Sequence, residues 1–489
     1  MSEDPFYDER SSRDSHTVRL AYVRLDERRT PPFMPWLLRG LAALTLIAAI
    51  TWFALPAPMQ RQFPERLPVR LWHQWTGERQ PLIDAIVAAF NRSQERYEVI
   101  ALAVPAVVSD QKLMLAIAGG EPPDVMTQWS PTVGSWAADG LLQPLEDLLS
   151  AEDHRVLRED GYPVALKGAQ CHGHLYGIPI GMNNFACYFR PDLVRAAGLD
   201  PDHFPESLEE LVAWGRKLDR VDAQGRLERV GFLPSRLAVF APLFGGGFKE
   251  RPDGGITIDN EENRRALTFI GEVYRHYGYE RMIQFRASLN SGSLAVEWPF
   301  VSGLYPISVD GQWRVEQLAN YAPEVEYRTA PLPPPKGGRV NAGFATVNLA
   351  FIPVGAKERH GAMAFMRFWS GLQDPAIAGT FNASGGWLPP LRTTVESPDF
   401  QAFLKKNPQF RTFITAVDGP DVEPVPPVAY QVFFTSRAWQ AEDRVVRGDK
   451  SAEQALKDLE AEVERERGRR SRLSRPRSPR SGAINGVAP

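Results

Sequence analysis

Cysteine is almost missing from this chain: Cys171 and Cys187 are the only two in 489 residues. Neither lies beside the long apolar run described below, so a lipid-acylated cysteine is excluded there. The pair flanks two strand-like stretches, HLYGIPI and FACYFR. In an oxidising compartment two readings stay open, a disulfide or two buried thiols. An excess of one charge is missing as well. The 56 Lys and Arg and 59 Asp and Glu leave a formal net charge of -3, so nothing argues for a nucleic-acid partner across the chain. The motifs of nucleophilic and metal-assisted hydrolysis are absent: there is no GxSxG, no HExxH and no Cys–His signal. Gly245-Gly246-Gly247 lacks the Lys-Ser/Thr and the GxGxxG spacing of a phosphate loop. His172 and His174 have no third ligand nearby, which argues against a metal site. No cofactor is expected.

Long apolar runs are missing but for one. Residues 40–57 read GLAALTLIAAITWFALPA, without a charge. As a helix this run reaches about 27 Å, close to the thickness of a bilayer's hydrocarbon core. Arg28, Arg29 and Arg39 precede it, and positive residues stay on the cytoplasmic side. The reading is a disordered cytoplasmic tail over 1–35, a transmembrane helix or signal over 36–57, and an exported body on the periplasmic or extracellular face. A cleaved signal competes with an anchor. Translation from Met34 would give an ordinary signal, whereas cleavage after Ala57 would leave Pro58 first. Residues 468–489 are basic and rich in Ser and Pro and read as a disordered tail.

The body alternates strands and helices. VRLWHQW reads as a strand, and Pro81 opens a helix with Leu82, Ile83, Ile86, Val87 and Phe90 on one face. YEVIALAV is a second strand. Ser109 is expected to cap the next helix, which Gly119-Gly120 stops. PDVMTQW is a third strand. This order implies α/β architecture with a parallel sheet, whose ligands bind beyond the carboxyl ends of the strands. RTAPLPPPKGG is a stiff connector, TVNLAFIPV another strand, and 357–372 a helix. Ser451 and Gln454 form a capping box for a last helix with Leu456, Leu459 and Val463 facing inward.

The segments VRLWHQWTGERQPLIDAIVAAFNRSQERYEVIALAVP and KLMLAIAGGEPPDVMTQWSPTVGSWAADGLLQPLEDLL resemble the start of family 1 extracellular solute-binding proteins. These are the sugar-binding receptors of ABC importers, related to maltose-binding protein. The resemblance continues through GHLYGIPIGMNNFACYFRPDLVRAAGL, WPFVSGLYPISVDGQWRVEQLANYAPEVEYRTAPLP and FATVNLAFIPVGAKERHGAMAFMRFWSG, and ends with SGGWLPP and GDKSAEQALKDLEAEVE. It implies a two-lobed, periplasmic-binding-protein-like fold (type II). Chain crossings would fall near Gly181–Asn184, Thr329–Leu332 and Gln373–Thr380. The N-lobe would comprise 67–181 plus 332–373, and the C-lobe 184–329 plus 380–467. At the first crossing Met182-Asn183-Asn184 departs from the family in lacking an acidic contact.

A sugar offers flat C–H faces and a rim of hydroxyls. Aromatic rings match the faces, and amides or carboxylates match the hydroxyls. The chain carries that mixture at its expected strand ends and crossings, at motif positions where the family often places ligand contacts. These are Trp75, Thr76 and Glu78; Gln128 and Trp129; Asn183 and Asn184; Asp310, Gln312 and Trp313 of the DGQW turn; Gly343 and Phe344; and Trp387. Each has a plainer reading as packing, turn or solvated surface. The expected function is a monomeric receptor that closes on a carbohydrate and delivers it to ABC permease subunits. A membrane-tethered sugar sensor is the alternative. A glycoside hydrolase is a further one, although no acid pair can be placed on facing strand ends.

Overall fold

The computed structural model describes residues 40, 44–45, 61–289 and 295–473. The chain divides into a unit Met1–Arg61 and a unit Gln62–Pro489. In the first, Gly40, Leu44 and Thr45 are helical. The readings for the tail 1–35, for most of the apolar run and for residues 474–489 lie outside the described residues. Among those described, no helix is long and apolar enough to cross a membrane.

Strand β1 (Leu67–His73) buries Val69 and Leu71 completely. Pro81 sits in the first turn of α1 (Gln80–Ser93), where its missing N–H costs nothing. That helix turns Ile83, Ile86 and Phe90 inward. Strand β2 (Tyr97–Ala103) follows. Helix α2 (Ala106–Ala118) begins earlier than a Ser109 cap would allow, because Pro105 already holds the entry at φ -53. Ser109 is instead buried inside the helix, where its hydroxyl accepts from Gln128 Nε2 at 2.9 Å. Strand β3 (Val125–Trp129) completes a parallel β2–β1–β3 set.

The sequence suggests two strands around the MNN segment. There is one, β4 (Gly177–Phe189). It runs unbroken because partners cover it from end to end. Its first half pairs with β7 (Ala342–Phe351), and its second half with β5 (Ile307–Gly311) and β6 (Arg328–Ala330). β7 also pairs with β3 and, through its first residues, with β8 (Asp421–Glu423). Together they make one eight-stranded mixed sheet.

Two large cores lie on this frame, and β4 feeds both by its alternation. Ala186 and Tyr188 join the first core with Leu71, Phe90, Leu349 and Phe365. Cys187 and Phe189 join the second with Leu211, Phe240, Ile270, Phe434 and Leu456. The cysteines are thereby separated, Cys171 in the first core and Cys187 in the second, and both are free thiols. Cys171 Sγ donates to the Pro427 carbonyl at 2.9 Å.

The triple glycine forms a turn. Gly245 and Gly247 hold φ of +92 and +107, which favours glycine. Fully buried Asn263 clamps Gly247, accepting its N–H at 2.8 Å and donating to its carbonyl at 3.3 Å. The last helix, Ala452–Leu473, buries Leu456, Leu459 and Val463. Ser451 Oγ accepts from the Gln454 N–H, but the Gln454 side chain turns to Asp458, so half of the capping box forms. The helix runs into the basic segment because Arg469 and Arg470 both pair with Glu466.

Candidate functional site

The strand register assembles the site. Thr346 stands opposite Asn183, Ala345 opposite Asn184 and Asn348 opposite Gly181. Asn348 also stands opposite Trp129 on β3, and Phe185 opposite Gly311 on β5. Opposed residues share a face, and every second residue along a strand returns to it. One sheet face therefore carries Trp129, Asn348, Thr346, Asn183, Phe344 and Phe185. Trp129 ends β3 with 47% of its surface exposed. Phe344 stacks on Phe185 at 6.2 Å and 22°, and Trp313 meets Phe185 edge-on at 5.9 Å and 85°. Aromatic surface thus brackets a central strip of amides and a hydroxyl.

Asn183 and Asn348 are almost entirely buried. Asn183 Nδ2 reaches Thr346 Oγ1 at 3.3 Å and Asn348 Oδ1 at 3.4 Å. Asn184 points elsewhere and donates to the Phe413 carbonyl at 2.8 Å. Gln312 is wholly buried and stitches the crossing strand to the DGQW turn. Asp310 pairs with Ala186 in register, on the opposite face from Phe185. Its carboxylate accepts from the Gly311 N–H at 2.8 Å and from Arg314 Nε at 3.0 Å.

Trp75 and Trp387 form a second aromatic group. Trp75 lies 5.2 Å from Trp387 and 5.7 Å from Trp369, ring centre to ring centre. Trp387 is 4% exposed and packs beside Gly181, next to the strip. Thr76 and Glu78 are exposed in the turn after β1. Gln128 is buried, accepting from the Trp129 N–H at 3.0 Å and donating to Ser109. Gly343 pairs with Val422, at the β8 end of β7.

Glu423, paired in register with Phe344, brings one carboxylate to the edge of this face, where Lys167 holds it at 2.9 Å. His73, buried at the end of β1, has its pKa lowered by desolvation, which favours the neutral ring. Tyr188, behind the strip, is held well above the usual phenol range by burial and then by the Asp310 charge. No group of His, Cys, Asp and Glu that could hold a metal ion occurs among the described residues. Phe185, Thr346 and Asn348 were not expected from the sequence. Their signal was the pairing of TVNLAF with GIPIGMN, the stretch that runs on into FACYFR, which neither stretch announces alone.

The family model of the bacterial extracellular solute-binding proteins matches residues 85–412. A maltotriose-binding protein of Pyrococcus abyssi is 21% identical over 71% of this chain and 71% of its own length. A periplasmic sn-glycerol-3-phosphate-binding protein of Shigella dysenteriae is 21% identical over 70% of this chain and 78% of its own. Among solved structures, CpMnBP1 with mannotriose bound superposes with a TM-score of 0.71 at 22% identity, covering 81% of this chain and 100% of that one. The maltotriose-binding protein of Thermus thermophilus, bound with maltotriose, gives 0.61 at 21%, covering 82% and 100%. At these identities the superpositions establish a shared fold, the two-lobed α/β fold of solute-binding proteins.

Proposed function

The chain belongs to the bacterial extracellular solute-binding proteins, a family of receptors and not of enzymes, and from that premise we propose that its solute is a sugar or oligosaccharide. The observation that carries this reading is the single sheet face on which half-exposed Trp129, Phe344 and Phe185 flank Asn183, Thr346 and Asn348. Rings suit the C–H faces of a pyranose, and amides suit its hydroxyl rim. Trp313 supplies a further edge, and Trp75 and Trp387 support the wall beside Gly181. Two relatives whose names specify maltotriose or mannotriose favour the same class.

The mechanism is closure of two lobes about the crossings near Gly181–Asn184 in β4, Thr329–Leu332 and Gln373–Thr380. An N-lobe of 67–181 plus 332–373 and a C-lobe of 184–329 plus 380–467 would approach around the ligand, which favours the closed form because only that form touches it from both sides. The closed receptor would deliver its ligand, as a monomer, to ABC permease subunits. The apolar run over 40–57 would export the body and keep it at the membrane.

A sugar panel tests the proposal on the full-length protein. Maltotriose, mannotriose, shorter sugars and sn-glycerol 3-phosphate are each added in a melting experiment, with the products analysed. A rise in Tm with unaltered ligand supports the receptor. No shift with any sugar overturns the carbohydrate reading, and turnover overturns the binding-protein mechanism.

A further inference from the structure

Gln312 fixes a polarity at the centre of the face. Its two amide atoms meet backbone groups that cannot exchange roles. The Asn184 N–H donates to Gln312 Oε1 at 3.2 Å, and Gln312 Nε2 donates to the Met182 carbonyl at 3.1 Å. The main chain therefore sets the orientation of this amide. Nε2 also donates to Asn183 at 3.0 Å, so the Asn183 atom facing it is the oxygen. Asn183 Nδ2 is thereby turned to the opposite side, onto the strip. Its contacts there, 3.3 Å to Thr346 and 3.4 Å to Asn348, lie beyond the usual N–H···O range. The donor is aimed but weakly used.

Four cations on the surrounding elements are held in ion pairs. Arg79 pairs with Glu316 at 3.0 Å, Arg314 with Asp310 at 3.0 Å and Lys167 with Glu423 at 2.9 Å. Arg339, beside Phe344, pairs with Asp421 at 3.5 Å. A phosphate or carboxylate laid against Asn183 would have to break one of these pairs, or draw Lys249 in from beside Phe344, to gain a counter-charge. An ether or hydroxyl oxygen accepts one hydrogen bond there at little cost.

We infer that the face selects an uncharged ligand presenting an acceptor oxygen to Asn183, and that Gln312 is the positioning residue that sets this polarity. The inference rests on the proposed location of the site on this face. It separates the ligand types named for two relatives, a neutral oligosaccharide and a phosphorylated polyol.

Gln312→Glu tests it. Above its pKa, the introduced carboxylate accepts on both oxygens, and Asn183 must turn its Nδ2 inward. At lower pH the protonated carboxyl regains one O–H, for which Asn183 Oδ1 and the Met182 carbonyl compete, so the native polarity returns in part. The first readout needs no ligand: the Asn183 side-chain amide resonances between about pH 4.5 and 8. They should be flat in the wild type and titrate in the variant. The second is affinity for maltotriose, mannotriose and sn-glycerol 3-phosphate. Saccharide affinity of the variant should fall about tenfold at pH 8, the loss of one hydrogen bond, and recover in part on acidification. Asn183→Asp, which places a carboxylate on the strip, should lose at least as much at pH 8 and serves if Gln312→Glu fails to fold. Flat resonances in a folded Gln312→Glu, wild-type saccharide affinity in Asn183→Asp, or tight binding of glycerol 3-phosphate would each overturn the inference. If the wild type binds no sugar of the panel, the carbohydrate reading fails while the ligand-free titration still decides the role of Gln312.

Discussion

Arg79 and Glu316 form an ion pair of 3.0 Å between the turn after β1 and the helix that follows the DGQW turn, with 18% and 11% of their side chains exposed. Arg79 also donates to the Gly385 carbonyl, and Glu316 accepts from Asn320. Removing one member strands the other in a poorly solvated place. Glu316→Ala or Arg79→Ala should each cost about 2–4 kcal/mol in urea unfolding, below the fully buried limit because both side chains keep some water. The double variant should cost less than the sum. Additive losses would show that the pair does not couple.

Trp129 and Trp387 should respond in opposite ways. Trp129 is half-exposed, so Trp129→Ala should leave unfolding free energy within about 0.5 kcal/mol. It should nevertheless weaken ligand binding about tenfold or more, the loss of a stacking platform. Trp387 is buried against Trp75 and Gly181. Trp387→Ala should cost about 3–5 kcal/mol. Calorimetric titration beside urea melts reads both quantities. A destabilised Trp129→Ala with unchanged affinity would make Trp129 a packing residue.

Gly134 has no room for a side chain. A Cβ there would run into the backbone of Pro427 and Val428, and the Gly134 N–H is already held by Gln431 Oε1 at 2.9 Å. Gly134→Ala must separate two main-chain segments and should cost about 1–3 kcal/mol. Gly343 is the contrast, with its nearest neighbour 3.8 Å from a built Cβ. Gly343→Ala should melt like the wild type, so any loss of affinity would mark a ligand contact.

The thiols should be inert in the folded protein. Burial pushes Cys171 up to about 11, and Cys187 is raised further by the same cause. At pH 8 iodoacetamide should label neither in the native state and both in urea, read by mass spectrometry. Linkage gives the sign. A folded pKa above the unfolded one contributes stability that is complete below about pH 8.5 and disappears as pH rises through the folded value. The Cys171 thiol should thus account for about 1–3 kcal/mol lost by pH 11. Cys171→Ala should flatten that part of the pH profile.

Local pattern and tertiary pairing divided the information in this chain. The strand–helix succession over 69–129 was legible because burial on one face leaves a period of two or 3.6, and Pro81 and Gly119 mark the ends of helices. Ser109 misled, since a hydroxyl that caps in one place serves a buried amide in another. The indoles of Trp75, Trp129, Trp313 and Trp387 were visible as chemistry, but the sequence does not say which of them keeps an open face. Register decided that, and it also brought Phe185, Thr346 and Asn348 beside Asn183 and sent Asp310 to the far side. A shift of one residue in pairing exchanges the two faces of a strand, so only long-range hydrogen bonding could choose between them. Sequence alone determined the class of protein and offered most of the candidate binding groups. The folded sheet selected which of those groups stand together, because residues far apart in the chain become neighbours only through β4 and β7.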